Sequence, residues 1–185
     1  MPLKGEQQLI ERAKIDPKAF GQLYEFYYPK IYGYVYRVSG DYDISCDITS
    51  ETFAKAFLKI SSFKYKYISI SSWFFKIATN ELNQYFRKKK YTPFTLIDLS
   101  VYKEVASDKY LNDEANVTIS NIYISEDFKK VQKLLKSLPS IYQKVIALKY
   151  FEEMSIKEIS EILGKKEGTV KSLLSRGIDR LRKLL

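Results

Sequence analysis

Two stretches of the chain carry side chains that could do chemistry, and in both the chemistry is binding. The segment FKYKYISISSWFFKIATNELNQYFRKKK, residues 63–90, interleaves aromatic rings with cations. Lys64, Tyr65, Lys66 and Tyr67 form a basic-aromatic loop just ahead of a helical run. From Trp73 to Arg87, the residues Phe74, Phe75, Ala78, Leu82, Tyr85 and Phe86 fall within about 120° of one another and read as a core stripe. Trp73 lies on the opposite side with Lys76, Asn80, Asn83, Gln84 and Arg87. Cations hold phosphates, aromatic faces stack on unpaired bases at about 1–3 kcal/mol each, and amides read base edges. This face is a candidate single-strand surface. The competing reading has Trp73 packed against another helix, since tryptophan is usually well buried.

The second stretch is the last part of the chain. Ser155-Ile156-Lys157-Glu158 fits a capping box, with Ser155 as N-cap and Glu158 three residues on. Ile156, Ile159, Ile162 and Leu163 then give a short amphipathic helix that Gly164 ends. A last helix follows a brief turn. Val170, Leu174, Ile178, Leu181 and Leu185 occupy one side of it. Thr169, Lys171, Ser172, Ser175, Arg176, Asp179, Arg180 and Lys183 occupy the other. Two helices joined by a tight turn, the second with a basic-hydroxyl outer face, make a helix-turn-helix whose second helix enters the major groove. The alternative is an amphipathic pair packed on something else.

Catalytic chemistry has little to work with. The chain has no His and a single Cys, Cys46. The commonest general base and zinc ligand are therefore missing, and no internal disulfide can form. The seven glycines are scattered singly rather than gathered in a phosphate-cradling loop. The expectation is no enzymatic activity, no metal, no cofactor and no small-molecule substrate. No window approaches the roughly 20 apolar residues of a membrane span, and the N-terminus lacks a signal-peptide core, so a cytoplasmic location is expected.

The 185 residues carry a formal net charge of +9, which calls for an anionic partner. Two basic blocks, 1–90 and 126–185, flank an acidic one, 91–125, which reads as a linker. In the first block, Asp16 before Pro17 is an N-cap with proline in the first turn. Phe20, Leu23, Tyr24, Tyr27, Ile31, Tyr34, Val35 and Val38 recur at helical steps, Pro29 should kink the helix, and Ser39-Gly40 ends it. A second helix should span about 44–60. Cys46, Phe53, Ala56, Phe57 and Ile60 form its apolar side. Asp47, Ile48, Glu51, Thr52 and Lys55 form its outer side, either a partner-docking face or a solvated one. In the last block, Leu138-Pro139 starts a helix reaching about Tyr150. The fold class expected is all-α: two small helical domains joined by a linker, the C-terminal one a helix-turn-helix.

Together these segments resemble a bacterial RNA polymerase sigma factor of the extracytoplasmic-function (ECF) group. AFGQLYEFYYPKIYGYVYR resembles the start of the family's second conserved region, and DITSETFAKAF its polymerase-binding helix. SSWFFKIATNELNQYFRKKK resembles its segment for promoter melting and minus-10 reading. LPSIYQKVIALKYFEEMSIKEISEILGKKEGTVKSLLSRGIDRLRKLL resembles the fourth region, which reads the minus-35 element. The resemblance implies a specificity subunit that binds core RNA polymerase through Asp47, Ile48, Glu51, Thr52 and Lys55. It implies minus-10 DNA on Lys64, Tyr65, Lys66, Tyr67, Trp73, Lys76, Asn80, Asn83, Gln84 and Arg87. It implies minus-35 duplex on Lys165, Lys166, Thr169, Lys171, Ser172, Ser175 and Arg176. Many relatives are held inactive by an anti-sigma protein, which makes one a candidate partner. Lys165 and Lys166 depart from the family pattern of an apolar residue and a serine between the two helices. They give up an N-cap worth about 0.5–2 kcal/mol, which phosphate contact could offset. Gly177 inside the last helix should cost about 1 kcal/mol relative to Ala. The rival reading is a stand-alone helix-turn-helix transcriptional regulator, which would need a dimer and a palindromic site.

Overall fold

The structure, a computed structural model, describes residues 5–64, 68–91 and 126–184; among them are helices and no strand. Apart from Tyr91, the acidic segment 91–125 lies outside the described residues, as do Tyr65, Lys66, Tyr67 and Leu185.

The first module has four helices. α1 (Glu6–Ala13) was not apparent from the sequence pattern; it buries Leu9, Ile10 and Ala13 against α2 (Pro17–Ser39). Asp16 caps α2 as expected, its carboxylate accepting from the Lys18 N–H at 2.9 Å. Gly40 ends that helix in the left-handed region at φ 65°, where a Cβ is unwelcome. α2 runs through Pro29 as one element. α3 (Tyr42–Lys59) is capped by Asp41, and α4 (Ile70–Tyr91) follows a short 3₁₀ turn, Ile60–Ser62. Aromatic rings make the core. Phe74 meets Phe53 at 5.1 Å and Tyr27 at 5.2 Å, and Phe75 meets Tyr34 at 5.3 Å. The hydroxyls of these buried tyrosines need partners. Tyr34 pairs with the Thr79 hydroxyl at 2.8 Å, and Tyr27 donates to Glu6.

One expectation fails on α3. Ile48 and Thr52, expected outward, are 7% and 0% exposed, whereas Phe57, expected inward, is 44% exposed. The helix is wedged between α2 and α4, so it buries a broad face that includes Ser45, Thr49 and Thr52. Two of these hydroxyls tolerate burial because they bond their own backbone. Ser45 and Thr52 donate to the carbonyls of Asp41 and Ile48. A hydrophobic wheel scores such residues as outward and turns the predicted face away from the true one. Cys46 is half-buried, and burial pushes its thiol up.

The second module comprises α5 (Glu126–Lys136), α6 (Ser140–Ile146), α7 (Ile156–Leu163) and α8 (Glu167–Arg182). The helix expected to continue to Tyr150 instead gives way after Ile146 to a π-helical turn, Ala147–Phe151. That turn delivers Glu152 and the half-buried Phe151 toward the first module. The two modules lie against each other, α7 on α4 and the π-turn on α2.

Candidate nucleic-acid interface

The helix-turn-helix is built from local rules. Both halves of the capping box form: the Ser155 N–H donates to Glu158 at 2.9 Å, and the Glu158 N–H donates to the Ser155 hydroxyl at 3.2 Å. Gly164 turns the chain at φ 61°, and the Ser160 hydroxyl donates to the Lys165 carbonyl. Lys166 stands at the N-cap of α8 without a side-chain cap, as its type requires. Val170, Leu174 and Gly177 face the core of the module. Here Gly177 has a use. A Cβ at that position would stand 3.1 Å from Ile146 Cδ1 and 3.4 Å from the Tyr142 ring, so the glycine lets α8 lie close on α6. Ile178, expected on the buried side, is only half-buried. The outer face presents Lys165, Lys166, Thr169, Lys171, Ser175 and Arg176 exposed, with Ser172 half-buried beside them. Four cations and two hydroxyls at helix spacing can bind phosphate and read guanine in a major groove.

The second polar stripe runs along α4. Lys76, Asn80, Asn83, Gln84 and Arg87 are exposed on one face, and Lys64 is exposed ahead of the helix. Trp73 falls between the two readings of it. It is half-buried, tilted on Phe63 at 4.8 Å and on Phe74 at 5.7 Å, so one part of the indole is anchored and another is open. Phe74, Phe75, Ala78 and Leu82 are buried as expected, while Tyr85 and Phe86 at the helix end are half-buried. Asn83 accepts a hydrogen bond from Lys144 of the second module.

On α3, Asp47 and Glu51 are exposed and Lys55 bridges two carboxylates, Glu81 on α4 at 2.7 Å and Glu51 at 3.0 Å. Those carboxylates, Glu81 first, raise the Lys55 pKa. A groove of ≈ 530 Å³ opens between α3 and α4, with Asp47, Glu51, Glu81, Gln84 and Lys88 on its walls and Ile48 in its lining. The sequence reading missed Glu81 and the groove. Glu81 sits on the α4 face between the stripes, and its only advance signal was a lysine on another helix needing a partner.

Two buried ionisable groups were also missed. Burial pushes the Glu152 carboxyl up to about 7, against the pull of Arg37 and Lys30, and pushes the Lys144 amine down to about 8. Among the described residues no cluster of His, Cys, Asp and Glu could hold a metal ion. No described helix is long and apolar enough to cross a membrane.

Known proteins share this arrangement. Residues 23–92 match the family description "Sigma-70 region 2", and residues 128–181 match "Sigma-70, region 4". The chain is 35% identical to the ECF RNA polymerase sigma factor SigW of Bacillus subtilis, over 100% of this chain and 98% of SigW. In fold it is similar to RpoE of Bartonella quintana, solved with the anti-sigma factor NepR. The TM-score is 0.69 at 24% identity, over 90% of this chain and 96% of that one. It is also similar to CnrH, solved with the cytosolic domain of CnrY, with a TM-score of 0.67 at 19% identity over 95% and 94% of the two chains.

Proposed function

The chain belongs to the ECF RNA polymerase sigma factors, and on that premise we propose how its surfaces share the work of promoter-specific initiation. It is a sigma factor, a specificity subunit of a family that is not enzymatic. The outer face of α8 takes the minus-35 duplex. Thr169, Lys171, Ser175 and Arg176 lie nearest the bases, and Lys165 and Lys166 meet phosphate at the turn. The α4 stripe with Lys64 and Trp73 takes the opened minus-10 strand, and Tyr65, Lys66 and Tyr67 belong to the same surface by sequence. Extracting a base from the stack costs a few kcal/mol, which a half-open indole flanked by Lys76, Asn80 and Arg87 can offset.

Core polymerase docks on the α3 side through Asp47 and Glu51, at the mouth of the α3–α4 groove. Ile48 and Thr52 are too buried to be docking contacts and act instead by holding α3 in place. Lys55 fixes the groove wall. The protein works in the cytoplasm, where polymerase and promoter are, and an anti-sigma protein of the kind that partners RpoE is a further proposed partner. The observation that carries this reading is a pair of outward polar stripes, on α4 and α8, inside a chain that aligns end to end with a sigma factor. The test is run-off transcription with purified core polymerase on promoter fragments from the source genome. Promoter-dependent initiation is expected. Tight operator binding by the protein alone, with no initiation, would leave the stand-alone regulator instead.

A further inference from the structure

We propose that α1 is a positioning element for Trp73. By locking Glu6 onto Tyr27 it fixes the row of rings on which the indole rests, and so sets how far that ring stands open. That the positioned ring captures a strand rests on the reading above; the positioning itself does not.

The match to Sigma-70 region 2 begins at residue 23, so α1 lies wholly ahead of it. With eight residues α1 is too short to hold itself in water, and its place is set by what it packs against. Two kinds of contact hold it. Leu9, Ile10 and Ala13 are buried in the core of the first module. Glu6, in the first turn, accepts from the Tyr27 hydroxyl of α2, and the two residues are only 7% and 2% exposed. A carboxylate and a phenol taken that far from water each need a partner, so the pair locks the first turn of α1 to one point on α2.

From that point a continuous row of rings leads to the indole. The Tyr27 ring meets Phe74 at 5.2 Å, Phe74 meets Trp73 at 5.7 Å, and Trp73 meets Phe63 at 4.8 Å. Tyr27, Phe74 and Phe63 are buried, and Trp73 is the half-open member of the row. α1 also supports the far end, because it lies against the 3₁₀ turn Ile60–Ser62, and the Phe63 N–H donates to the Ile60 carbonyl at 3.0 Å. The indole is thus underlain from two directions, both of which end on α1. Its backbone is fixed separately. The Ser69 hydroxyl caps α4, accepting from the Ser72 N–H at 3.1 Å, and the Ser69 carbonyl accepts from the Trp73 N–H at 2.9 Å. With the backbone held, the rings beneath decide the tilt of the indole. A close-packed interior passes a displacement on rather than absorbing it, so a slack Tyr27 frees Phe74 and then Trp73.

Trp73 is the single tryptophan of the chain, so fluorescence of the full chain reports on this ring alone. Tyr27→Phe keeps the ring and removes the hydroxyl; Glu6→Ala removes the acceptor and serves if the tyrosine variant fails to fold. Each should shift the emission to the red and raise acrylamide quenching severalfold, at a temperature where helical circular dichroism is unchanged. The double variant should do no more than either single one, since the two groups act as a unit. Glu6→Gln keeps an acceptor for the hydroxyl and should restore the wild-type emission. With core polymerase, Tyr27→Phe and Glu6→Ala should slow the appearance of permanganate-reactive thymines severalfold while duplex binding by α8 is unchanged. Emission and quenching identical to wild type in every folded variant overturn the positioning role and leave the sigma reading standing. Altered emission with opening at the wild-type rate keeps α1 as the support of Trp73 and removes that ring from strand capture.

Discussion

The two helices assigned to DNA are held in opposite ways. α4 is embedded on two sides: rings of α2 and α3 pack along its core stripe, Lys55 ties down Glu81, and the second module reaches Asn83. Its free surface is a narrow band with a tryptophan half-sunk at one end. α8 rests on one side only, through Val170, Leu174 and a glycine, and nearly half its circumference is polar and open. A helix gripped on two sides can fix a few groups with precision, as strand capture demands. A helix gripped on one side offers a broad face, as a groove demands.

The comparison breaks first if the aromatic core of α4 is dispensable. Phe74→Ala should cost about 3–5 kcal/mol and melt the first module, as read by calorimetry. An unchanged melting temperature would mean the rings do not hold α4.

It sharpens with one substitution on each helix. Arg176→Ala should weaken minus-35 duplex binding by about 1–3 kcal/mol and relax specificity at one position, with the fold intact. Trp73→Ala should cost a similar ~1–3 kcal/mol in promoter opening, read as permanganate reactivity of unpaired thymines, while duplex binding by α8 is unchanged. Loss of helical circular dichroism in the tryptophan variant would assign the indole to the core instead.

The contact between the two modules should also depend on pH. Closed Glu152 sits near 7, above its ordinary 4.5, because burial outweighs Arg37 and Lys30. Its contribution to closure is complete below 4.5 and lost as pH rises through 7. Closed Lys144 sits near 8, below its ordinary 10.5, through burial. Its contribution is complete above 10.5 and lost as pH falls through 8. Both are lost between 7 and 8, so closure should be weakest there and tighten on acidification toward 4.5. Glu152→Gln should flatten that acid limb in a scattering titration.

The smallest effect concerns the uncapped end of α8. Lys166→Ser should stabilise the second module by about 0.5–2 kcal/mol while lowering the salt slope of duplex binding by about 1. A salt slope that does not move would remove Lys166 from the phosphate contacts.

Legibility followed the range of the forces. The Asp16 cap, the Gly40 stop, the Ser155–Glu158 box and the Gly164 turn were readable because each interaction spans five residues or fewer. The core stripe of α4 from Phe74 to Leu82 was readable because a strong 3.6-residue period survives any environment. α3 was misread because its buried face is lined by hydroxyl residues, two of which, Ser45 and Thr52, bond their own backbone, so polarity no longer marks the outside. Gly177 read as a defect because its benefit lies on α6, at Ile146. The helix after Pro139 was drawn too long because the π-turn that ends it serves a contact with the other module.

By itself, then, the amino-acid order determined the helices, their caps, both polar stripes and, through motifs in the right succession, the family. Those are properties of neighbours along the chain. Only the tertiary structure decided which side of α3 is hidden, how deeply Trp73 sinks, and that Arg37 meets Glu152. Those outcomes depend on groups from separate helices competing for the same buried space. The cost of taking a charge out of water exists only once a second surface has arrived to cover it.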